Sequence, residues 1–250
     1  MPPNEPQYPL EIRTGSTFCT TQWSMVLAAG EVMGPRSRQA LEALCRAYWY
    51  PLYAYVRRRG HSAGDAQDLV QGFFLRLIEK NIVANADPER GRFRSYLLKS
   101  IQFYMANEWD RARAKKRGGG RTTIPLDSLV AEQRFGSEPS HAMTAERLFD
   151  RRWALTLLEQ VLAQLKAQYL QKGTRNTFDR LKAFIGGDVP GVTYKQVGQE
   201  LGMSESAVKV AVHRLRKKYG ELLRAAIAQT LANPLEVDDE INHLFSILAP

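Results

Sequence analysis

Two stretches of this chain set residue types at a spacing suited to contact with a polyanion. The first is 193–224, TYKQVGQELGMSESAVKVAVHRLRKKYGELLR. Thr193 is a good helix N-cap, and Gln196 three residues on completes a capping-box pattern. Gly202 supplies a break, and Ser204 caps the helix that follows. A short helix, a glycine-containing turn and a longer basic helix make a helix-turn-helix. At about 100° per residue, Val208, Val212, Leu215, Tyr219 and Leu222 share one stripe that should face a core. Ser206, Lys209, Val210, His213 and Lys217 cluster opposite, flanked by Glu205, Arg214, Arg216 and Lys218. Residues near the start of such a helix reach base edges in a major groove. That makes Glu205, Ser206, Lys209, Val210 and His213 the base-reading candidates. Arg214, Arg216, Lys217 and Lys218 are placed to hold phosphates, which positions the helix without reading sequence. For His213 the alternative is an exposed histidine with no role. A metal role lacks a second ligand at suitable spacing.

The second stretch is 93–117, which interleaves Phe93, Tyr96, Phe103, Tyr104 and Trp109 with charge and ends in RARAKKR. Rings offer faces on which unpaired bases stack, at roughly 1–3 kcal/mol per base, while Arg and Lys track the backbone. This combination suits a single strand better than a duplex. Phe93 and Trp109 are expected on the apolar stripe, and Phe103 and Tyr104 off it. The candidates are therefore Lys99, Phe103, Tyr104, Asn107, Arg111, Arg113, Lys115, Lys116 and Arg117.

Charge distribution supports both readings. The formal net charge is +9. Segment 90–121 holds ten Lys and Arg against two acids, Glu108 and Asp110, a net of +8. Segment 195–224 holds seven against three, a net of +4, and 232–250 holds four acids and no Lys or Arg. Clustered positive charge is the footprint of a polyanion partner. Other classes are excluded by absence. No phosphate-cradling glycine loop, nucleophile elbow or metal-ligand cluster is present, so enzymatic function and a cofactor are not expected. Two distant cysteines, Cys19 and Cys45, rule out a disulfide framework. No run reaches the ~18 apolar residues of a membrane span. The first residues lack a signal-peptide core. The expectation is a cytoplasmic protein with no membrane contact.

The elements that must position these residues read as helices throughout. Apolar residues recur at three and four in 37–60 (Leu41, Leu44, Cys45, Tyr48, Trp49, Leu52, Tyr55, Val56). Pro51 should kink or split that helix. Further helices are expected over 65–80, 93–117, 146–171 and 176–185, the last stopped by Gly186-Gly187. The expected architecture is all-α: a polar tail (1–21), a first domain (22–117), a flexible linker (118–145), a second domain (146–231) and a tail (232–250). The linker is polar and carries Gly118-Gly119-Gly120, Pro125, Gly136 and Pro139, so it should have little structure of its own. In the tail, Asp238-Asp239-Glu240 precedes Ile241, Leu244, Phe245 and Leu248, an acid-capped amphipathic helix. It should pack on the second domain, dock a partner or shield a basic surface.

The order of these pieces resembles a bacterial sigma factor of the extracytoplasmic-function (ECF) type, within the sigma-70 family. The resemblance rests on YWYPLYAYVRRRGHSAGDAQDLVQGFFLRLIEK, then FRSYLLKSIQFYMANEWDRARAKKR, then the helix-turn-helix, and covers roughly 22–231. It implies a chain that binds core RNA polymerase and directs it to promoter DNA. The helix at 65–80 would dock on the polymerase, through Asp65, Asp68, Leu69, Gln71, Phe74 and Leu75. The helix at 93–117 would capture the −10 element as it melts, and that at 205–218 would read the −35 duplex. Two departures stand out. Gln67 and Gly72 occupy positions where such proteins often carry an acid, and Phe103 replaces a frequent asparagine, with Asn107 one turn on. An acid-poor docking helix suggests help from elsewhere, from a kinase acting on Ser62 to restore negative charge; an anti-sigma factor is the other regulatory partner to expect. The rival reading is a stand-alone helix-turn-helix regulator that binds duplex DNA without polymerase. It accounts for 193–224 and leaves 65–80 and 93–117 unexplained.

Overall fold

The computed structural model describes residues 23–31, 34–114, 128–138 and 143–249, and these form helices and no strand. The first four helices are α1 (Trp23–Gly30), α2 (Pro35–Arg58), α3 (Ala63–Glu79) and α4 (Phe93–Ala114). Two 3-10 turns, Ile82–Asn85 and Pro88–Arg90, join α3 to α4. Ser62 starts α3: its hydroxyl oxygen accepts from the Asp65 N–H at 3.1 Å. That is an N-cap, and it gives Ser62 a local structural role. Asn81 ends the same helix in the left-handed region, φ 44°, and its amide donates to the Gly30 carbonyl at 3.0 Å. Pro51 neither breaks nor splits α2 into two helices. Its ring is buried, so the helix continues through it despite the one backbone bond it removes.

The remaining helices are α5 (Ser128–Gly136), α6 (Ala145–Gln171), α7 (Arg175–Leu181), α8 (Tyr194–Leu201), α9 (Glu205–Ala228) and α10 (Val237–Leu248). A 3-10 turn, Lys182–Gly186, extends α7, so the single helix expected over 176–185 changes pitch at Lys182. The expected tail helix is present as α10. The tail at 1–21 lies outside the described residues.

Among the described residues two hydrophobic cores form. The larger joins α1 to α4 with the first half of α6, the end of α9 and α10. Its aromatic centre sets Tyr48 edge-on to Phe93 at 5.7 Å, with Trp23 edge-on to Phe93 at 6.0 Å. Such pairs add about 0.5–1.5 kcal/mol beyond area burial. The smaller core holds Leu165, Phe178, Leu181, Phe184, Val197, Val208, Val212 and Leu215. The long helices α6 and α9 belong to both. Along α6, Leu148 to Val161 face the first core and Leu165 the second. Along α9, Val208 to Leu215 face the second, and Leu223 to Ile227 the first.

Within 118–145 the structure differs from the expected unstructured linker: residues 128–136 form α5. The cause lies outside the segment. Glu132 binds Arg57 of α2 through two hydrogen bonds, 2.5 and 3.0 Å, and accepts from the Tyr53 hydroxyl. Glu138 accepts from the Tyr50 hydroxyl at 2.8 Å and pairs with Arg152 of α6. A polar sequence thus gains order from α2 and α6. Residues 118–127 and 139–142 lie outside the described set.

Candidate nucleic-acid interface

The helix-turn-helix is built from its caps upward. The Thr193 hydroxyl oxygen accepts from the Gln196 N–H at 3.2 Å, and the Gln196 side-chain oxygen accepts from the Thr193 N–H at 2.9 Å. Gly202 takes φ +65°, a left-handed turn that glycine adopts without strain. Gly198 is required for closeness rather than for its torsion angles. A Cβ there would come within 2.6 Å of the Met203 carbonyl oxygen, so only glycine lets the turn close so tightly. Ser204 then caps α9, accepting from the Ala207 N–H at 3.2 Å.

This framework turns one face of α9 inward and leaves the other bare. Val208, Val212 and Leu215 are buried in the smaller core. Glu205, Ser206, Lys209, Val210, His213, Arg214, Lys217 and Lys218 are all exposed. Lys209 and Glu205 lie 2.8 Å apart. The ammonium holds the Glu205 carboxyl below its ordinary range, and the carboxylate raises Lys209. Arg216 departs from the expected phosphate role. Its Nε donates to the Phe184 carbonyl at 2.7 Å, and its guanidinium lies 3.5 Å from Asp188. Asp188 also accepts from the Tyr194 hydroxyl at 2.6 Å, and this bond, with Arg216, keeps its carboxyl below the usual range. Arg216 therefore ties α9 to α8 and to the turn after α7.

On α4 the outward line is Lys99, Phe103 and Asn107, all exposed, with Phe103 72% accessible. A large ring left in solvent, with a cation and an amide one turn to either side, is a surface on which a base can stack. Two rings differ from expectation. Tyr104 is buried and packs on Phe73 of α3, ring centroids 5.8 Å apart. It stands eleven residues, close to three turns, after Phe93, so it belongs to the same apolar stripe. Trp109, expected on that stripe, is instead 59% accessible; it lies sixteen residues after Phe93, on another face. The side chains of Arg111 and Arg113 lie outside the described residues, as do Lys115, Lys116 and Arg117 entirely.

On α3, Asp65, Asp68 and Leu75 are exposed, Leu69 and Phe74 half-buried, and Gln71 buried. Leu75 is 53% accessible, and with Asp68 and Glu79 about two turns and one turn away along the helix it makes a mixed apolar and negative face. Gln71 is not part of it, because its side chain turns into the interior. Gly72 has a steric reason: a Cβ there would collide with the Tyr104 hydroxyl. An acid at this position would have to displace the Tyr104 side chain.

Residues 44–115 match the family model for Sigma-70 region 2. The matched stretch runs from the middle of α2 through α3 to the end of α4, under a third of the chain. It supports a sigma factor of the sigma-70 family. No curated protein and no solved structure matches the chain. The region-2-like stretch contains both the acidic face of α3 and the Lys99–Phe103–Asn107 line of α4. The helix-turn-helix lies outside it and stands on its own geometry.

Three charged groups near this surface escape a reading of the sequence alone. Arg92 and Arg94 flank the start of α4, and both pair with Glu240 of α10. Arg92 stands seven residues before Lys99, two turns of helix, and that spacing is the signal that could have marked it. Nothing local marks Glu240 as their partner. Among the described residues there is no group of three His, Cys, Asp or Glu that could hold a metal, and no helix is long and apolar enough to cross a membrane.

Proposed function

We propose that this chain is a sigma factor of the ECF type, which binds core RNA polymerase and directs it to promoters. The observation that carries the reading is the co-occurrence, in one chain, of a region-2-like helical unit and a helix-turn-helix with an unobstructed recognition face. Either alone would be less specific, since helix-turn-helix units serve many regulators. The division of labour follows the chemistry of each surface. Asp65, Asp68, Leu69, Phe74 and Leu75 of α3 meet the polymerase, with Gln71 supporting them from inside. Lys99, Phe103 and Asn107 of α4 take the melted −10 strand, with the cations of 111–117 following its backbone. Glu205, Ser206, Lys209, Val210 and His213 of α9 enter the −35 major groove, while Arg214 and Lys217 hold phosphates. Its place of work is the cytoplasm, where polymerase and DNA are found. For Lys209 and Glu205 to read separate base edges, their mutual ion pair must open. At exposed sites such pairs contribute little, so the cost is small.

Reconstitution with purified bacterial core polymerase tests this. The expected result is co-elution with core and transcripts starting at discrete sites on genomic DNA. Failure to co-elute, with tight duplex binding by the chain alone, would overturn the proposal in favour of a stand-alone regulator.

A further inference from the structure

The anion seated at the head of the α4 surface comes from the chain itself. Glu240, in the first turn of α10, is fully buried. Its carboxylate lies 2.6 Å from Nη1 of Arg94 and also pairs with Arg92. Arg94 is itself only 3% accessible, with its guanidinium 4.1 Å over the Trp153 ring and 3.5 Å from Asp150 of α6. Its Nη2 is buried with no hydrogen-bond partner. Arg92 is different. It is about a third accessible and precedes the first turn of α4, where the N–H of Tyr96 bonds back to its carbonyl at 3.2 Å. At about 100° per residue Arg92 falls on the same line as Lys99, Phe103 and Asn107. The exposed face of α4 thus has an arginine at its head, already occupied by a carboxylate.

We propose that Arg92 and Arg94, at the N-terminus of α4, form a site for a backbone phosphate of single-stranded nucleic acid, and that Glu240 holds this site as a built-in competitor. A helix N-terminus flanked by two guanidinium groups is a ready anion site, and a carboxylate mimics two of a phosphate's oxygens. The small hollow beside the pair, lined by Tyr48, Arg92, Phe93, Arg94, Trp153 and Thr230, has a volume of about 10 Å³, enough for one water, so a phosphate can enter only once Glu240 has left. The competitor is mounted on a separate short helix, which Val237 and Leu244 seat in the larger core. α10 follows a short 3-10 turn, Pro234–Glu236. Its outer fastening is a surface pair between Asp238 and Arg224 of α9, both more than half accessible. It carries Asp238, Asp239 and Glu240 in its first turn on a chain whose net charge is +9. When α10 lifts, Glu240 leaves and the α4 line gains one phosphate contact.

The inference rests on reading the α4 face as a single-strand surface, and the test separates the two. Binding of a labelled, mixed-sequence single-stranded oligonucleotide to the full chain is measured by fluorescence anisotropy over a range of salt. Glu240→Gln should tighten binding on the order of fivefold and steepen the log–log salt slope by about 0.7, the value for one added phosphate contact on a single strand. Glu240→Gln combined with Arg92→Ala should return both quantities to the parent's. Asp239→Asn, which removes the same charge from the exposed neighbouring residue, should leave the slope unchanged. Asp238→Lys loosens α10 from outside without burying a lone charge. It should give a smaller gain that Arg92→Ala also cancels, and it carries the test if Glu240→Gln fails to fold by circular dichroism. Unchanged or weaker binding by the folded variants would overturn the proposal. So would a gain that survives Arg92→Ala or is matched by Asp239→Asn. If the parent and every variant fail to bind the oligonucleotide even at low salt, the reading of α4 falls, and this inference with it. If the parent binds and only the Glu240 effect is missing, this inference alone falls.

Discussion

α9 and α4 both carry cations on a solvent-facing line, but they hold them in opposite ways. On α9 the leading residues are bare, and the ion pair among them, Lys209 with Glu205, lies in solvent. On α4 the leading arginines are paired to Glu240, which is fully buried, and Arg94 is stacked on Trp153. An exposed pair exchanges easily for another partner, while a buried one must be dismantled with the element that supplies it. The helix-turn-helix is therefore ready as it stands, whereas the α4 surface is complete only after another helix has moved. The same contrast extends to the supports. The recognition half of α9 is anchored by one apolar cluster from α6, α7 and α8, and α4 by contacts from α2, α3, α6 and α10.

Four substitutions, one of them paired with a titration, probe this difference. The largest effect should come from Leu215→Ala, which empties a fully buried position of the smaller core. It should cost about 2–5 kcal/mol and abolish duplex binding. Single-strand binding through α4 should be retained, as read by urea unfolding with parallel anisotropy. If both activities fall together, the two surfaces are not independent. Next is Gly72→Ala. Its Cβ meets the Tyr104 hydroxyl, so it should cost about 1–3 kcal/mol by overpacking. It should weaken single-strand binding while leaving duplex binding intact, the mirror image of the first result.

A smaller effect belongs to α5. Hydrogen bonds from Arg57 and Tyr53 hold the Glu132 carboxyl below its ordinary value, against some burial. A depressed carboxylate contributes stability that is fully present above its unfolded pKa and is lost as pH falls through its folded one. The facing groups on α2 do not lose charge in that range: Arg57 stays protonated, and the Tyr53 hydroxyl is pushed up to about 12. The α5 amide shifts, followed by NMR as the solution is acidified from neutral, should therefore move toward unfolded values only below the ordinary carboxylate range. Glu132→Gln should remove that dependence. The smallest effect is Lys217→Ala on α9, an exposed residue. It should lower the duplex salt slope by about one and leave stability within experimental error.

The helix-turn-helix is legible in the sequence because everything that defines it is local. Thr193, Gln196, Gly202 and Ser204 each act within three or four residues, and each takes the role its type suggests. The apolar stripe of α9 is legible for the same reason. What stays hidden depends on partners distant in the chain. α5 owes its order to Arg57, 75 residues away in sequence. Arg216 looks like any surface cation until Phe184 presents its carbonyl. Glu240 sits in an acidic run that reads as solvated, yet burial and two arginines give it an interior position. Tyr104 differs from these cases. Its burial follows from helical period alone, and only its company with charged residues disguises it.

The shared helices also set a phase relation. α6 is 27 residues long, about 40 Å at 1.5 Å per residue, and it carries the first core on one end and the second on the other. Inserting one residue between Val161 and Leu165 would turn the far core by about 100°. The face of α9 would then point in a new direction, with the contacts inside each core under pressure only where α9 bridges them. Inserting seven would restore the heading almost fully and add about 10 Å of reach. The protein thus encodes the mutual bearing of its two surfaces in the matched residue counts of two rods, α6 and α9.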